Sequence, residues 1–115
     1  MDDTGFIREI LAQPTAIRDA VSFYTTPSGR GFLRIASDIL RERSRIIFTG
    51  MGTSLHAPYL ILRELMAIPP TVEVRDAGEL LHFGLEGIRR GDGVVAVSQS
   101  GESAETRAVV GALEG

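Results

Sequence analysis

A change in hydrophobic pattern at residue 45 constrains the fold of this chain more than any other feature. Before it, apolar residues recur at helical spacing; after it, short β-branched runs alternate with helical segments. The runs Ile46–Thr49, Thr71–Arg75 and Gly93–Val97 are typical of strands, and the first is apolar enough to be buried on both faces. Such alternation predicts an α/β protein: a three-layer, flavodoxin-like parallel sheet with helices on both faces. Helices are expected over 54–67, 77–83 and 104–113.

The residues before this change predict an N-terminal helical arm. Pro14 is expected to interrupt its first helix, and residues 26–31 are expected to form a loop because of their Pro and Gly content. We therefore divide the chain into a helical lead-in, residues 1–44, and an incomplete α/β domain, residues 45–115. Three strands in the order 2-1-3 suggest a sheet truncated after strand 3. Because an apolar edge strand invites pairing, we expect a homodimer or completion by another chain.

Composition excludes several classes of function. The chain has no cysteine, which rules out disulfides and thiol nucleophiles, and all 12 basic residues are arginine, which rules out a Schiff-base lysine. The net charge of -3 and the mixed charges do not suit a nucleic-acid partner, and Arg89-Arg90 is interpreted as a solvated helix end. No apolar run reaches the roughly 20 residues of a membrane span, and no signal-peptide pattern is present. We expect a cytoplasmic protein without membrane contact.

Two loops rich in glycine and hydroxyl residues follow the first and third strands. In an open parallel sheet, ligands bind beyond the carboxyl ends of the strands where the strand order reverses, and these loops flank that position. Backbone N–H groups at a helix N-terminus stabilise an oxyanion, and Ser and Thr hydroxyls add hydrogen bonds. An amide such as that of Gln99 can bind sugar hydroxyls. The candidate binding residues are Gly52, Thr53, Ser54, Ser98, Gln99, Ser100, Gly101 and Ser103.

Other interpretations of these loops have patterns of their own. Helix capping explains Ser54 or Ser103 singly, but not the whole set of hydroxyl residues in two loops. A P-loop needs a lysine, which is absent. The dinucleotide fingerprint begins at Gly50-Met51-Gly52 and breaks at Leu55, although Asp76 stands roughly where a ribose-binding acid is expected.

Acid–base groups are few, because only His56 and His82 titrate near neutral pH. Either can donate a proton to a sugar ring oxygen, and nothing in the sequence selects one of them. We expect His56 to pack or to contact a partner, and His82 to lie at a surface or an interface.

The two loops together resemble the sugar isomerase (SIS) domain. Met51–Ala57 and, about 45 residues later, Ser98–Ser103 are similar to the paired elements C-G-T-S-x-x-A and S-Q-S-G-E-[ST]. That pair is typical of the isomerase half of glucosamine-6-phosphate synthase and of its relatives without a glutaminase domain. The stretch Ile7–Arg18 resembles the family's helical lead-in, so the likeness runs along nearly the whole chain. Met51 stands where cysteine is frequent, and Ser103 where threonine is commoner.

The resemblance implies a function and a substrate class. The candidate Ser and Thr residues and Gln99 would contact the phosphate and hydroxyls of a hexose 6-phosphate, such as fructose 6-phosphate or glucosamine 6-phosphate. The implied activity is that of an aldose–ketose isomerase, or of an amino-sugar-phosphate isomerase or deaminase, with no metal or organic cofactor. The family's catalytic residues lie downstream of the matched segment, so none is assigned. The alternative is a non-catalytic phosphosugar sensor.

Overall fold

The computed structural model describes residues 3–67, 69–99, 101 and 103–114. They divide into two units between Asp38 and Ile39, the first helical and the second built around a sheet. Within the described residues, no helix combines the length and the apolar character that crossing a membrane requires.

The first helix, α1 (Asp3–Thr25), runs on through Pro14. The prediction that this proline interrupts the helix is therefore wrong. Proline removes one backbone hydrogen bond and crowds the carbonyl four residues before it, a local cost of about 3 kcal/mol. The remaining turns of a helix of 23 residues keep their own hydrogen bonds on both sides of the proline, and the helix persists.

The second helix, α2 (Pro27–Arg41), begins inside the segment predicted to be a loop. Pro27 is its first residue, where a missing N–H costs no helical bond. The Thr26 hydroxyl accepts a hydrogen bond from the Gly29 N–H at 3.1 Å and donates one to the Phe23 carbonyl at 2.6 Å. Gly29 is buried, and a Cβ there would collide with that same carbonyl. The predicted loop over residues 26–31 is wrong because Pro and Gly here start a helix and permit close packing.

The second unit contains three parallel strands, β1 (Arg45–Gly50), β2 (Thr71–Asp76) and β3 (Asp92–Ala96). Their order is β2-β1-β3, and all three begin level with one another. The predicted α/β class and the order 2-1-3 are confirmed, and each strand lies within one residue of its predicted bounds. The strand order reverses at β1, so the carboxyl end of β1 lies at the switch point of the sheet.

Helical segments connect the three strands. The chain crosses from β1 to β2 in one direction and then from β2 back over β1 to β3 in the other. Because both crossovers between parallel strands are right-handed, the β1–β2 and β2–β3 connections belong on opposite faces of the sheet. In chain order the helical elements are a 3-10 turn (Gly52–Leu55), α3 (His56–Met66), α4 (Ala77–Glu79), a π-helix (Leu80–Gly84), a second 3-10 turn (Leu85–Gly87) and α5 (Ala104–Leu113).

The core of this unit lies on one face of β1. Ile47 is fully buried there against Ala77 of α4, Leu80 of the π-helix and Val109 of α5. Thr49, two residues further along β1, faces the same side and is also fully buried. Its Oγ1 makes no hydrogen bond with any of the described residues. A buried hydroxyl without a partner destabilises the fold, because it has lost its bonds to water.

We expect Thr49→Val to raise the free energy of unfolding by about 1 kcal/mol, because valine keeps the shape and removes the stranded hydroxyl. Urea or thermal unfolding measures the effect. Thr49→Ser is the control: it keeps the hydroxyl, loses a methyl group and should lower stability. A valine variant less stable than the wild type would contradict an unpaired hydroxyl.

An ionic network joins the amino ends of the strands. Arg45 Nη2 lies 2.6 Å from Asp92 Oδ2 and donates to the Gly87 carbonyl at 2.8 Å, while Nη1 lies 3.4 Å from Glu73 Oε2. The Arg89 N–H donates to the same Asp92 oxygen at 2.9 Å. The hydrogen bonds from Arg45 and then from the Arg89 backbone lower the pKa of Asp92, and the bond with Asp92 raises the pKa of Arg45.

The lowered pKa of Asp92 makes stability depend on pH in the acid range. The stabilisation is complete above the ordinary carboxyl pKa, about 3.9, and is lost as the pH falls through the lower folded value. We expect Asp92→Asn to lower Tm at neutral pH and to make Tm less sensitive to acid below about pH 5. Thermal unfolding across this range tests it. Glu86→Gln is the control, because this carboxylate is exposed and has no ion pair among the described residues; it should change neither Tm nor its acid sensitivity. Equal acid sensitivity of the Asp92 variant and the wild type would contradict the lowered pKa of Asp92.

Candidate functional site

The first candidate loop leads from β1 into α3. Gly52 has φ +57°, in the left-handed region that favours glycine, and it starts the 3-10 turn that precedes α3. Thr53 is exposed and Ser54 is half-buried. Neither hydroxyl caps a helix: the residues at the N-caps of the 3-10 turn and of α3 are Met51 and Leu55, without side-chain capping bonds. Capping therefore does not account for the hydroxyl residues of this loop.

The second candidate loop leads from β3 toward α5. Ser98 and Gln99 are exposed. The Ser98 Oγ accepts a hydrogen bond from the Gly101 N–H at 2.8 Å, and Gly101 has φ +73°, so these two residues form a tight turn that suits glycine. Ser100 and Glu102 lie outside the described residues.

Ser103 ends this loop as the N-cap residue of α5. Its Oγ accepts a long hydrogen bond from the Thr106 N–H, at 3.5 Å, and a second from the Thr106 hydroxyl, at 3.2 Å. The capping interpretation is therefore correct for Ser103. The partner hydroxyl of Thr106 was missed by the sequence analysis, although a threonine three residues after an N-cap serine is a visible signal.

The two loops meet at Gly50, the last residue of β1. A Cβ added there would lie 2.7 Å from the Val97 carbonyl oxygen and 3.4 Å from the Cβ of Ser54. The Val97 N–H also donates to the Thr49 carbonyl at 2.8 Å. Ser54 and the residue that precedes Ser98 thus contact the same glycine, which places the two loops side by side at the carboxyl edge of the sheet.

Gly50→Ala tests this close approach. We expect it to lower the free energy of unfolding by about 1–3 kcal/mol, because a methyl group would push the exit of β3 away from β1. Urea denaturation measures the change. Gly111→Ala is the matched control, since a Cβ on this α5 residue meets nothing within 4 Å and alanine favours a helix. A Gly50 variant as stable as the wild type would show that the loops are not held together here.

The loop after β2 is built differently. Asp76 Oδ1 accepts a hydrogen bond from the Glu79 N–H at 3.1 Å and so caps α4. The carboxylate considered for ribose binding thus makes a local capping bond through Oδ1. This loop adds no hydroxyl residue to the candidate site.

Both histidines are exposed. His56 is the first residue of α3, beside the first loop, and no packing role is seen for it among the described residues; contact with a partner stays a prediction. His82 lies in the π-helix at the surface, with its ring centroid 6.3 Å from that of Phe83. Within the described part of the chain, no group of three or more His, Cys, Asp or Glu side chains is placed to hold a metal ion.

Two cavities lie beside β3. One, of about 320 Å³, is bordered by Ser98, Gly101 and Thr106, so it joins the second loop to α5. The other, of about 540 Å³, extends from Asp92 to Leu113 along the edge of the sheet. Neither is lined by a residue of the first loop. These two cavities therefore do not by themselves define the candidate site.

Comparison with known proteins gives a consistent picture. The sequence profile of the SIS domain family matches residues 39–114. The chain is 35% identical over 108 residues to the glutamine–fructose-6-phosphate aminotransferase (isomerizing) of Pyrococcus horikoshii, and 35% identical over 111 residues to that of Encephalitozoon cuniculi. These alignments cover 90% of this chain but 17% and 16% of the two relatives, so the chain spans about a sixth of their length. No solved structure matches the chain.

Proposed function

Because this chain belongs to the SIS domain family, we propose that it binds a hexose 6-phosphate, of the fructose 6-phosphate or glucosamine 6-phosphate type, at the carboxyl edge of its sheet. The observation that carries the proposal is the contact of both hydroxyl-rich loops with Gly50 at the switch point. The relatives' names support the substrate class, since they are aminotransferases acting with fructose 6-phosphate.

Neutral groups at this edge suit a phosphate. The first-turn N–H groups of α5, which have no acceptor within the helix backbone, and the positive end of its dipole face the second loop. Glycine at positions 52 and 101 lets a ligand approach the main chain closely. Together these features stabilise an oxyanion without a lysine, which the chain does not contain.

The hydroxyl groups divide into two kinds. Thr53 and Ser54 are free of capping bonds, and both can donate to and accept from a ligand. Ser98 and Ser103 accept hydrogen bonds from their own loop or helix, yet each keeps one proton to donate. Because phosphate oxygens only accept, a serine that is already an acceptor is suited to bind them. Gln99, which is exposed, offers its amide to sugar hydroxyls.

We further propose that the chain supplies the binding part of an enzyme rather than a sensor. Proton transfer between C1 and C2 of the sugar would come from an acid–base group elsewhere in a larger assembly, either a homodimer or a complex with another chain. Isomerase, deaminase and aminotransferase activities all start from this bound sugar phosphate. Proton exchange at C1 of fructose 6-phosphate, or at C2 of glucosamine 6-phosphate, is followed by NMR in deuterated water on the assembled protein. It separates an enzyme from a sensor, which would bind without exchange. A cytoplasmic location suits such a substrate.

Calorimetric titration with fructose 6-phosphate tests the binding site. We expect Ser54→Ala, and likewise Ser100→Ala, to weaken binding by about 1–3 kcal/mol, because each leaves a phosphate or sugar oxygen without its donor. Ser44→Ala, which removes a hydroxyl near the opposite edge of the sheet, is the matched control and should bind as the wild type does. Titrations with inorganic phosphate and with fructose show which half of the ligand each serine contacts. A wild-type chain that binds none of the three ligands would refute the proposal.

A further inference from the structure

Thr106 is a buried hydroxyl residue at the first turn of α5. Thr106 is only 4% exposed, so water has little access to its side chain. The hydroxyl donates its proton to the Ser103 Oγ at 3.2 Å, and the Thr106 N–H approaches the same oxygen at 3.5 Å. Ser103 itself is half-buried, at the boundary between the core and the second loop.

The contact with Thr106 determines which hydrogen bonds the Ser103 hydroxyl can still make. A serine hydroxyl has one proton and two acceptor positions. Here both acceptor positions are directed at Thr106, one toward its N–H and one toward its O–H. The only group that Ser103 has left to offer is its own proton. Ser103 thus keeps its proton for another acceptor, and phosphate oxygens are acceptors.

The packing around Thr106 holds its hydroxyl in place. Val109, one turn further along α5, is fully buried against Ile47 of β1. Thr106 lies three residues before Val109, about 4.5 Å along the helix, and Thr49 lies two residues after Ile47, about 7 Å along the strand. Both positions are nearer the carboxyl edge of the sheet than the Val109–Ile47 contact. Both threonines are thus buried at a similar level, but of the two only Thr106 has a hydrogen-bond partner for its hydroxyl among the described residues.

From these contacts we propose that Thr106 is a positioning residue for phosphate binding. Its hydroxyl, on a residue only 4% exposed, orients the Ser103 hydroxyl so that the Ser103 proton is directed at a phosphate oxygen. The bond from Thr106 also polarises Ser103 and strengthens it as a donor. This inference rests on the proposed phosphosugar function, and it adds a residue that does not itself touch the ligand.

A double-mutant cycle tests the proposal on the full chain, with binding of fructose 6-phosphate and of inorganic phosphate as the readout. Thr106→Val keeps the shape and the backbone N–H and removes only the hydroxyl, so we expect roughly tenfold weaker binding of both ligands. In a chain that already carries Ser103→Ala, the same change should have no further effect, because Thr106 acts through Ser103. Equal losses in both backgrounds, or unchanged affinity in the single variant, would overturn the proposal.

Two controls separate the hydroxyl from packing. Thr49→Val makes the same substitution at the other buried threonine, and it should leave the affinity for both ligands unchanged. Thr106→Ser keeps the hydroxyl and should bind as the wild type does, even with a lower Tm. If Thr106→Val does not fold, comparing Thr106→Ala with Thr106→Ser tests the same claim, since these two differ by the hydroxyl alone. A wild type that binds neither ligand refutes the proposed function itself, whereas a binding wild type with an additive cycle refutes only the role of Thr106.

Discussion

The close approach of β1 and β3 at Gly50 is the constraint on which the candidate site depends. Val97 donates its N–H to the Thr49 carbonyl at 2.8 Å, and its own carbonyl occupies the space that a side chain at residue 50 would need. Only glycine permits this contact without displacing backbone. Because both loops begin at this point, main-chain packing places their starts side by side at the carboxyl edge of the sheet.

The two edges of the sheet are stabilised by different kinds of interaction. At the amino edge, Arg45 is bound by Asp92 and Glu73, and full charges hold the starts of three strands together. At the carboxyl edge, the groups that position the two candidate loops are neutral: hydroxyls, backbone N–H groups and glycines. The charges at the amino edge pair with one another. The Ser and Thr protons at the carboxyl edge can still be donated, which suits the proposed binding of an anionic sugar.

Capping and ligand binding are compatible at this site. A serine that accepts hydrogen bonds from its own helix retains its proton, so Ser98 and Ser103 can stabilise their loop and still donate to a phosphate. Capping and ligand binding are therefore not mutually exclusive explanations of these serines. Geometry shows that the same oxygen can serve both, because the two tasks use different parts of the hydroxyl group.

The sequence by itself determined the α/β class, the three strands and the position of α5, because these depend on local periodicity and on the chemistry of turns. Local rules failed at Pro14 and at residues 26–31, where the helical context on either side outweighed the preference of single Pro and Gly residues. Only the tertiary structure decided that Arg45 pairs with Asp92 and that Thr106 bonds Ser103, while the Thr49 hydroxyl finds no partner in the part of the chain that the structure describes. Such partners depend on which buried atoms lie within about 3 Å of each other, a distance that packing sets and a sequence pattern does not contain.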